Sequence, residues 1–173
     1  MSGTKAYKVW RSMISRCYSE AYHVRKPTYR DCEVGEDWKL FSNFLIWFSD
    51  NYIQGWELDK DCHIKGNKLY SEQTCVFLPS RINSFFIKVS TIKSDGLPLG
   101  VTFKKANRKY IAQISLGVIN GTRKSRHIII SDSVEECLKA YTEAKKQELA
   151  SLIDEYRHLL DCKALLSLEE FKF

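Results

Sequence analysis

The chain has 173 residues, 44% of them hydrophobic and 28% charged, which suits one ordinary domain or two small ones and excludes wholesale disorder. Its apolar runs, such as Ile128-Ile129-Ile130, are too short to cross a bilayer as a helix, and no charged-then-apolar leader opens it, so a cytoplasmic location and no membrane partner are expected. Six scattered cysteines without a CxxC pair argue against a zinc ribbon and suit reduced thiols used as small apolar fillers.

The net charge of +6 is unevenly spread. Residues 91–130 carry eight basic side chains against Asp95 alone, while residues 131–173 carry ten acidic and six basic ones. A basic block followed by an acidic one describes a polarised molecule with one face suited to a polyanion.

Taken in chain order, residues 5–19 read as an amphipathic helix, with Tyr7, Trp10, Ile14, Cys17 and Tyr18 at three- and four-residue spacing. Pro27 ends that unit. A short extended piece, 29–34, leads to a second helix over 37–50 with Trp38, Phe41, Phe44, Leu45 and Phe48 as its apolar stripe. A strand over 57–61, a turn at 64–68, a strand over 74–78 and a short helix over 80–87 form a ββα unit. Residues 91–98 read as a linker. Three strands follow, 99–105, 109–116 and 126–130, joined by a turn at 106–108 and a loop over 117–125 with Asn120-Gly121 at its tip. Asp132 with Glu135 signals the start of a long helix to about residue 160. The expected class is α+β with two small domains: a helical ββα unit over 1–90, then a three-stranded antiparallel sheet packed on one helix over 99–160, with 161–173 as a tail.

Chemistry concentrates first in the ββα segment. Asp59 on the strand and Asn83 on the helix have the types and spacing to hold one hard divalent cation against a phosphate. The same residues also suit a structural use, with Asp59 and Asp61 flanking a turn and Asn83 capping locally. The strings Leu58-Asp59-Lys60-Asp61, Gly66-Asn67-Lys68-Leu69-Tyr70-Ser71, Thr74-Cys75 and Asn83 resemble the phage HNH-endonuclease-like proteins. So do Trp10-x-x-Met13-x-x-Arg16-Cys17-Tyr18 and Trp38-x-x-Phe41-x-x-Phe44-x-x-Trp47 upstream, and the resemblance spans residues 7–87. It implies a ββα-metal fold, Mg²⁺ or Mn²⁺ on Asp59 and Asn83, phosphodiester cleavage, and a phage product in the cytoplasm of a bacterial host. Two positions depart from that family: Lys60 stands where it has the histidine base, and Thr74 where it has a middle asparagine. A lysine is a poor proton acceptor near neutral pH but can bind phosphate. Lys60 and the nearby His63 are therefore the candidate catalytic residues.

Further on, Gly100-Val101, Tyr110-x-Ala112-x-Ile114 and Glu135-Glu136-Cys137-Leu138-Lys139-Ala140-Tyr141 resemble the ethylene-response-factor (APETALA-type) DNA-binding domain over residues 98–146. The family's Leu-Gly-x-Phe is replaced by Ile128–Ile130. Phage homing endonucleases commonly carry such a domain behind an HNH unit, in this order. Strand alternation places Tyr110, Ala112 and Ile114 on one face and Ile111, Gln113 and Ser115 on the other, with Val101 and Phe103 inward and Thr102 and Lys104 outward. A sheet laid in the major groove would offer Thr102, Lys104, Gln113 and Arg126 to base edges, and Lys105, Arg108, Lys109, Arg123 and Lys124 to phosphates. Three functions fit this pattern: a double-stranded DNA-binding endonuclease of the homing class, a nuclease-derived DNA-binding regulator without catalysis, and a phage module that binds and inhibits a host or rival protein. The target sequence and any protein partner stay open.

Overall fold

The computed structural model describes residues 3–86, 91–119 and 121–171. It is a mixed α+β structure, 47% helix and 21% strand, with small sheets only. Two compact units divide the chain: residues 1–83 with 160–168, and residues 84–159 with 169–173.

The first unit opens with α1 (Lys5–Tyr18), capped by the Thr4 hydroxyl, which accepts the Tyr7 amide N–H. Ala6, Met13 and Cys17 are its buried residues; Tyr18, expected in the apolar stripe, is half-exposed but accepts the Val34 amide N–H through its hydroxyl. Ser19 ends α1 and caps a further short helix, α2 (Glu20–Arg25), which the periodicity did not signal. The expected helix over 37–50 is two pieces. A 3₁₀ turn over Glu36–Lys39 carries the buried Trp38, and α3 (Phe41–Asn51) buries Phe44, Trp47 and Phe48 while exposing Leu45. These rings gather the core: Trp38 lies 4.7 Å from Trp47, and Trp47 stacks on Phe77 at 5.3 Å.

Two small sheets frame the ββα segment. β2 (Glu57–Asp59) pairs antiparallel with β4 (Val76–Leu78), as expected, followed by α4 (Ser80–Asn83) and a 3₁₀ turn over Ser84–Phe86; Ile87 lies outside the described residues. β1 (Glu33–Val34) pairs parallel with β3 (Leu69–Tyr70). Residues 160–168 are no free tail. They form most of α6 (Cys162–Glu169), whose Ala164 and Leu168 are buried, and belong to the first unit.

In the second unit the expected linker is folded. Lys93 N–H donates to the Leu97 carbonyl, Leu99 N–H to Thr91, and Ile92 bridges Pro98. β5 (Val101–Lys104), β6 (Lys109–Ile119) and β7 (Thr122–Ser131) then form one antiparallel sheet in that order. The segment expected as a loop over 117–125 is instead the far end of the β6–β7 ribbon, with Gly121 (φ +75°) in its turn and Asn120 outside the described residues. Two register shifts, between Ala112 and Gln113 and between Ser115 and Gly117, kink this ribbon. α5 (Val134–Tyr156) packs on the sheet through Val101, Ala112, Ile114, Cys137 and Tyr141. Its N-cap is Ser133, whose hydroxyl accepts the Glu136 amide N–H, and not Asp132, which pairs with Lys109. Gly100 (φ +82°) lets the backbone pass against the Tyr141 ring, which a Cβ there would overlap. No helix among the described residues is long and apolar enough to cross a membrane.

Candidate functional site

The loop that follows β2 is held by three side chains. Lys60 is 6% exposed, and its ammonium donates to both Asp61 carboxylate oxygens at 2.8 Å and to the Asn67 carbonyl at 2.6 Å. It also lies 5.8–5.9 Å from the Tyr70 and Tyr29 ring centres, a cation–π cage. All the donor capacity of this ammonium is used inside the loop. Asn67 closes the loop from the other side: its amide donates to the Lys60 and Leu69 carbonyls and its oxygen accepts the Leu69 N–H. Thr74 performs the same service one turn later, donating to the Leu69 carbonyl while accepting the Ser71 N–H. Sequence pattern gave no sign of these roles for Lys60 and Asn67.

Asp59 is engaged in the same way. Its Oδ1 accepts the N–H groups of Asp61 and Cys62 at 2.8 and 2.7 Å. Burial pushes its carboxyl above the ordinary range, outweighing those two donors, which act to lower it. Asn83 meets a different carboxylate: its Nδ2 donates to Glu57 Oε2 at 3.1 Å, two residues earlier on β2. The groove that Asn83 lines is walled by Glu57 and Leu58 and not by Asp59. Asp59 Oδ1 and the Asn83 amide nitrogen are thus each engaged in a separate local contact, and no contact between the two side chains is seen among the described residues. No group of three or more His, Cys, Asp or Glu suited to a metal occurs among the described residues.

The candidate bases fare no better. Lys60 is a locked donor. His63 faces α6 rather than the Asp59 carboxylate: its charged neighbours are Asp161 and Lys163, its Nδ1 is buried without a partner, and burial lowers its pKa. The cysteines behave as fillers, five of them buried, and burial pushes the Cys17, Cys62 and Cys75 thiols up to about 12.

In the sheet of the second unit, Lys109 and Ser131 are engaged by Asp132 and Glu136. Directly paired residues in a sheet share a face, so the register sorts the candidates. Thr102 opposes Ile111 and Ile130; Lys104 opposes Lys109; Gln113 opposes His127. This set lies away from α5. Val101 with Ala112, Phe103 with Tyr110 and Ile114 with Arg126 lie on the α5 side. Arg126 therefore differs from expectation: the bulge at Ile128 shifts the register and turns it to the helix side, exposed beyond the core. Phe103 is on the inward face as expected but remains 40% exposed, its ring 5.1 Å from Tyr110. Lys105 and Arg108 are exposed in the β5–β6 turn, where Arg108 takes the left-handed conformation at φ 54°. Lys109 is tied to Asp132 at 3.2 Å. Lys124 is exposed near the far end of the ribbon, and the Arg123 side chain lies outside the described residues. Comparison of the chain with family models, curated proteins and solved structures finds no match.

Proposed function

We propose that this protein binds double-stranded DNA through the β5–β7 sheet, and that its ββα segment is a structural remnant of a nuclease rather than a cleaving centre. The observation that carries the reading is the set of Thr102, Lys104, Lys109, Gln113 and His127 on one sheet face, around the buried Ile111 and the exposed Ile130, with the helix packed on the other. It is flanked by the exposed cations Lys105, Arg108 and Lys124. A twisted three-stranded sheet backed by a helix fits the major groove, where its outward side chains meet base edges and its turns meet phosphates. Gln113 has the bidentate amide suited to adenine, and Lys104 the ammonium suited to guanine. The non-catalytic half of the reading rests on Lys60, whose ammonium is spent on the loop, and on Asp59, whose Oδ1 accepts two loop amides.

The test is equilibrium binding of the full chain to a random-sequence duplex over a range of salt concentrations. Affinity is expected to fall linearly on a log–log plot, with Lys105→Ala and Arg108→Ala weakening all sequences alike and reducing the salt slope by about one each. Gln113→Ala is expected to change the sequence preference instead. Binding indifferent to salt and to these changes would point to a protein partner and overturn the reading.

A further inference from the structure

The first unit holds a groove of about 340 Å³ between α1 and the β2–α4 segment, lined by Lys5, Lys8, Arg16, Trp56, Glu57 and Asn83. We propose that this groove is a second anion site that takes a phosphate-bearing ligand. Three observations carry it.

First, Lys5, Lys8 and Arg16 fall at i, i+3 and i+11 on α1, which puts them along one helix face. Lys5 and Lys8 are exposed and have no ion-pair partner among the described residues. Three cations thus stand against one carboxylate, Glu57, and that carboxylate is already engaged by the Asn83 amide.

Second, the Arg16 Nε–H is buried and meets no acceptor. The rest of its guanidinium is held, by a hydrogen bond with Tyr70 and by the Tyr29 ring at 5.9 Å. A buried donor without a partner is a standing cost to the fold, relieved when an acceptor reaches it. Phosphate oxygens are strong acceptors for a guanidinium, and flanking ammonium groups add point charges.

Third, the groove has the volume of a small-ligand pocket, and its remaining walls are the Trp56 indole, the Glu57–Asn83 carboxylate–amide pair, Ser12 and the apolar Val9, Met13 and Leu58. Those groups suit the base or sugar of a nucleotide better than a bare inorganic ion. The phosphate comes either from a free nucleotide or from a DNA backbone. The site stands independently of the sheet, since groove and sheet share no residue.

The experiment is titration calorimetry of the full chain with pyrophosphate, with dAMP and with a short duplex, comparing wild type, the Lys5→Ala/Lys8→Ala double variant and Lys8→Arg. The lysines are exposed, and a matched thermal melt checks that the double variant is folded. Saturable binding of pyrophosphate and dAMP, weakened about tenfold or more in the double variant and kept in Lys8→Arg, is the expected result for a free nucleotide. Loss confined to the duplex, with no binding of the small anions, supports the site with the backbone as the source. Unchanged affinity for all three probes in the double variant overturns it. Failure of the sheet reading has a different signature, since it appears only in the Lys105, Arg108 and Gln113 variants.

Discussion

Replacing Lys60 with methionine separates a structural lysine from a catalytic one. Methionine keeps the length and apolar stem but removes the ammonium, which leaves the Asn67 carbonyl and the Asp61 carboxylate without their donor. Breaking a fully buried ion pair costs about 3–5 kcal/mol. Asp61 is not fully buried, its side chain being 38% exposed, so water takes over part of its solvation. The larger part of the loss is then the charged hydrogen bond to Asn67, and the expected destabilisation is about 2–3 kcal/mol. That is a large share of the roughly 5–15 kcal/mol of a typical fold. All four tryptophans, at positions 10, 38, 47 and 56, lie in the first unit, so intrinsic fluorescence in urea follows that unit specifically. A midpoint lowered in proportion, with duplex binding preserved under native conditions, is the expected result. A variant that melts like wild type but loses DNA binding or any Mg²⁺-dependent nicking would refute the reasoning and make Lys60 a functional group. By the same logic Lys60→His, which places an imidazole at the position where an HNH nuclease has its base, is expected to loosen the loop without creating cleavage.

Other expectations follow from single contacts. Asp59→Ala removes the acceptor of two amide groups and is expected to cost about 1–2 kcal/mol in urea melts, whereas Asp59→Asn, which keeps an acceptor, costs less. Because burial raises the Asp59 carboxyl in the folded chain, its favourable contribution is complete below about pH 3.9 and is lost as pH rises through the folded value. Wild type should therefore lose ground to Asp59→Asn as pH increases, and parallel pH profiles of the two midpoints would contradict the assignment. Arg108→Gly relieves a left-handed residue and is expected to raise stability by about 1 kcal/mol while weakening DNA binding; a loss of both would mean that the side chain holds the turn. Gly100→Ala forces a Cβ into the Tyr141 ring at positive φ and is expected to cost at least about 2 kcal/mol, read by far-ultraviolet circular dichroism.

The sequence made the larger elements readable because they obey a single period. The extent of α1, the β2–β4 pair and the sheet-then-helix order of the second unit all follow from apolar spacing and turn residues, although the buried face of α1 is Ala6, Met13 and Cys17 and not the expected stripe. Two-residue strands and a helix of under two turns carry too little period, so the parallel β1–β3 pairing and α2 went unread. Gly117, Asn120 and Gly121 look like loop punctuation, but Gly117 sits at a bulge and Gly121 in a tight turn, so the ribbon is longer than composition suggests. The candidate site was legible as residue types and not as partners. Asp59 and Asn83 have the chemistry of a metal pair, and only the hydrogen bonds reveal that one serves the loop and the other Glu57. For Lys60, burial reversed the role that its position suggested.

The placement of α6 makes the first unit discontinuous, since its last nine residues follow the whole of the sheet and of α5 along the chain. At a synthesis rate of roughly 5–20 residues per second, residues 84–159 leave the ribosome before the strip that completes the earlier unit exists. The hairpin ribbon pairs neighbours in sequence and closes quickly, so the later-made unit is expected to fold first. Once folded, it holds residues 84 and 159 at a fixed separation and shortens the effective loop that α6 must close. The order of assembly is then the reverse of the order of translation. The region between His63 and Asp161 becomes the final seam, which hydrogen exchange during refolding would see protected last.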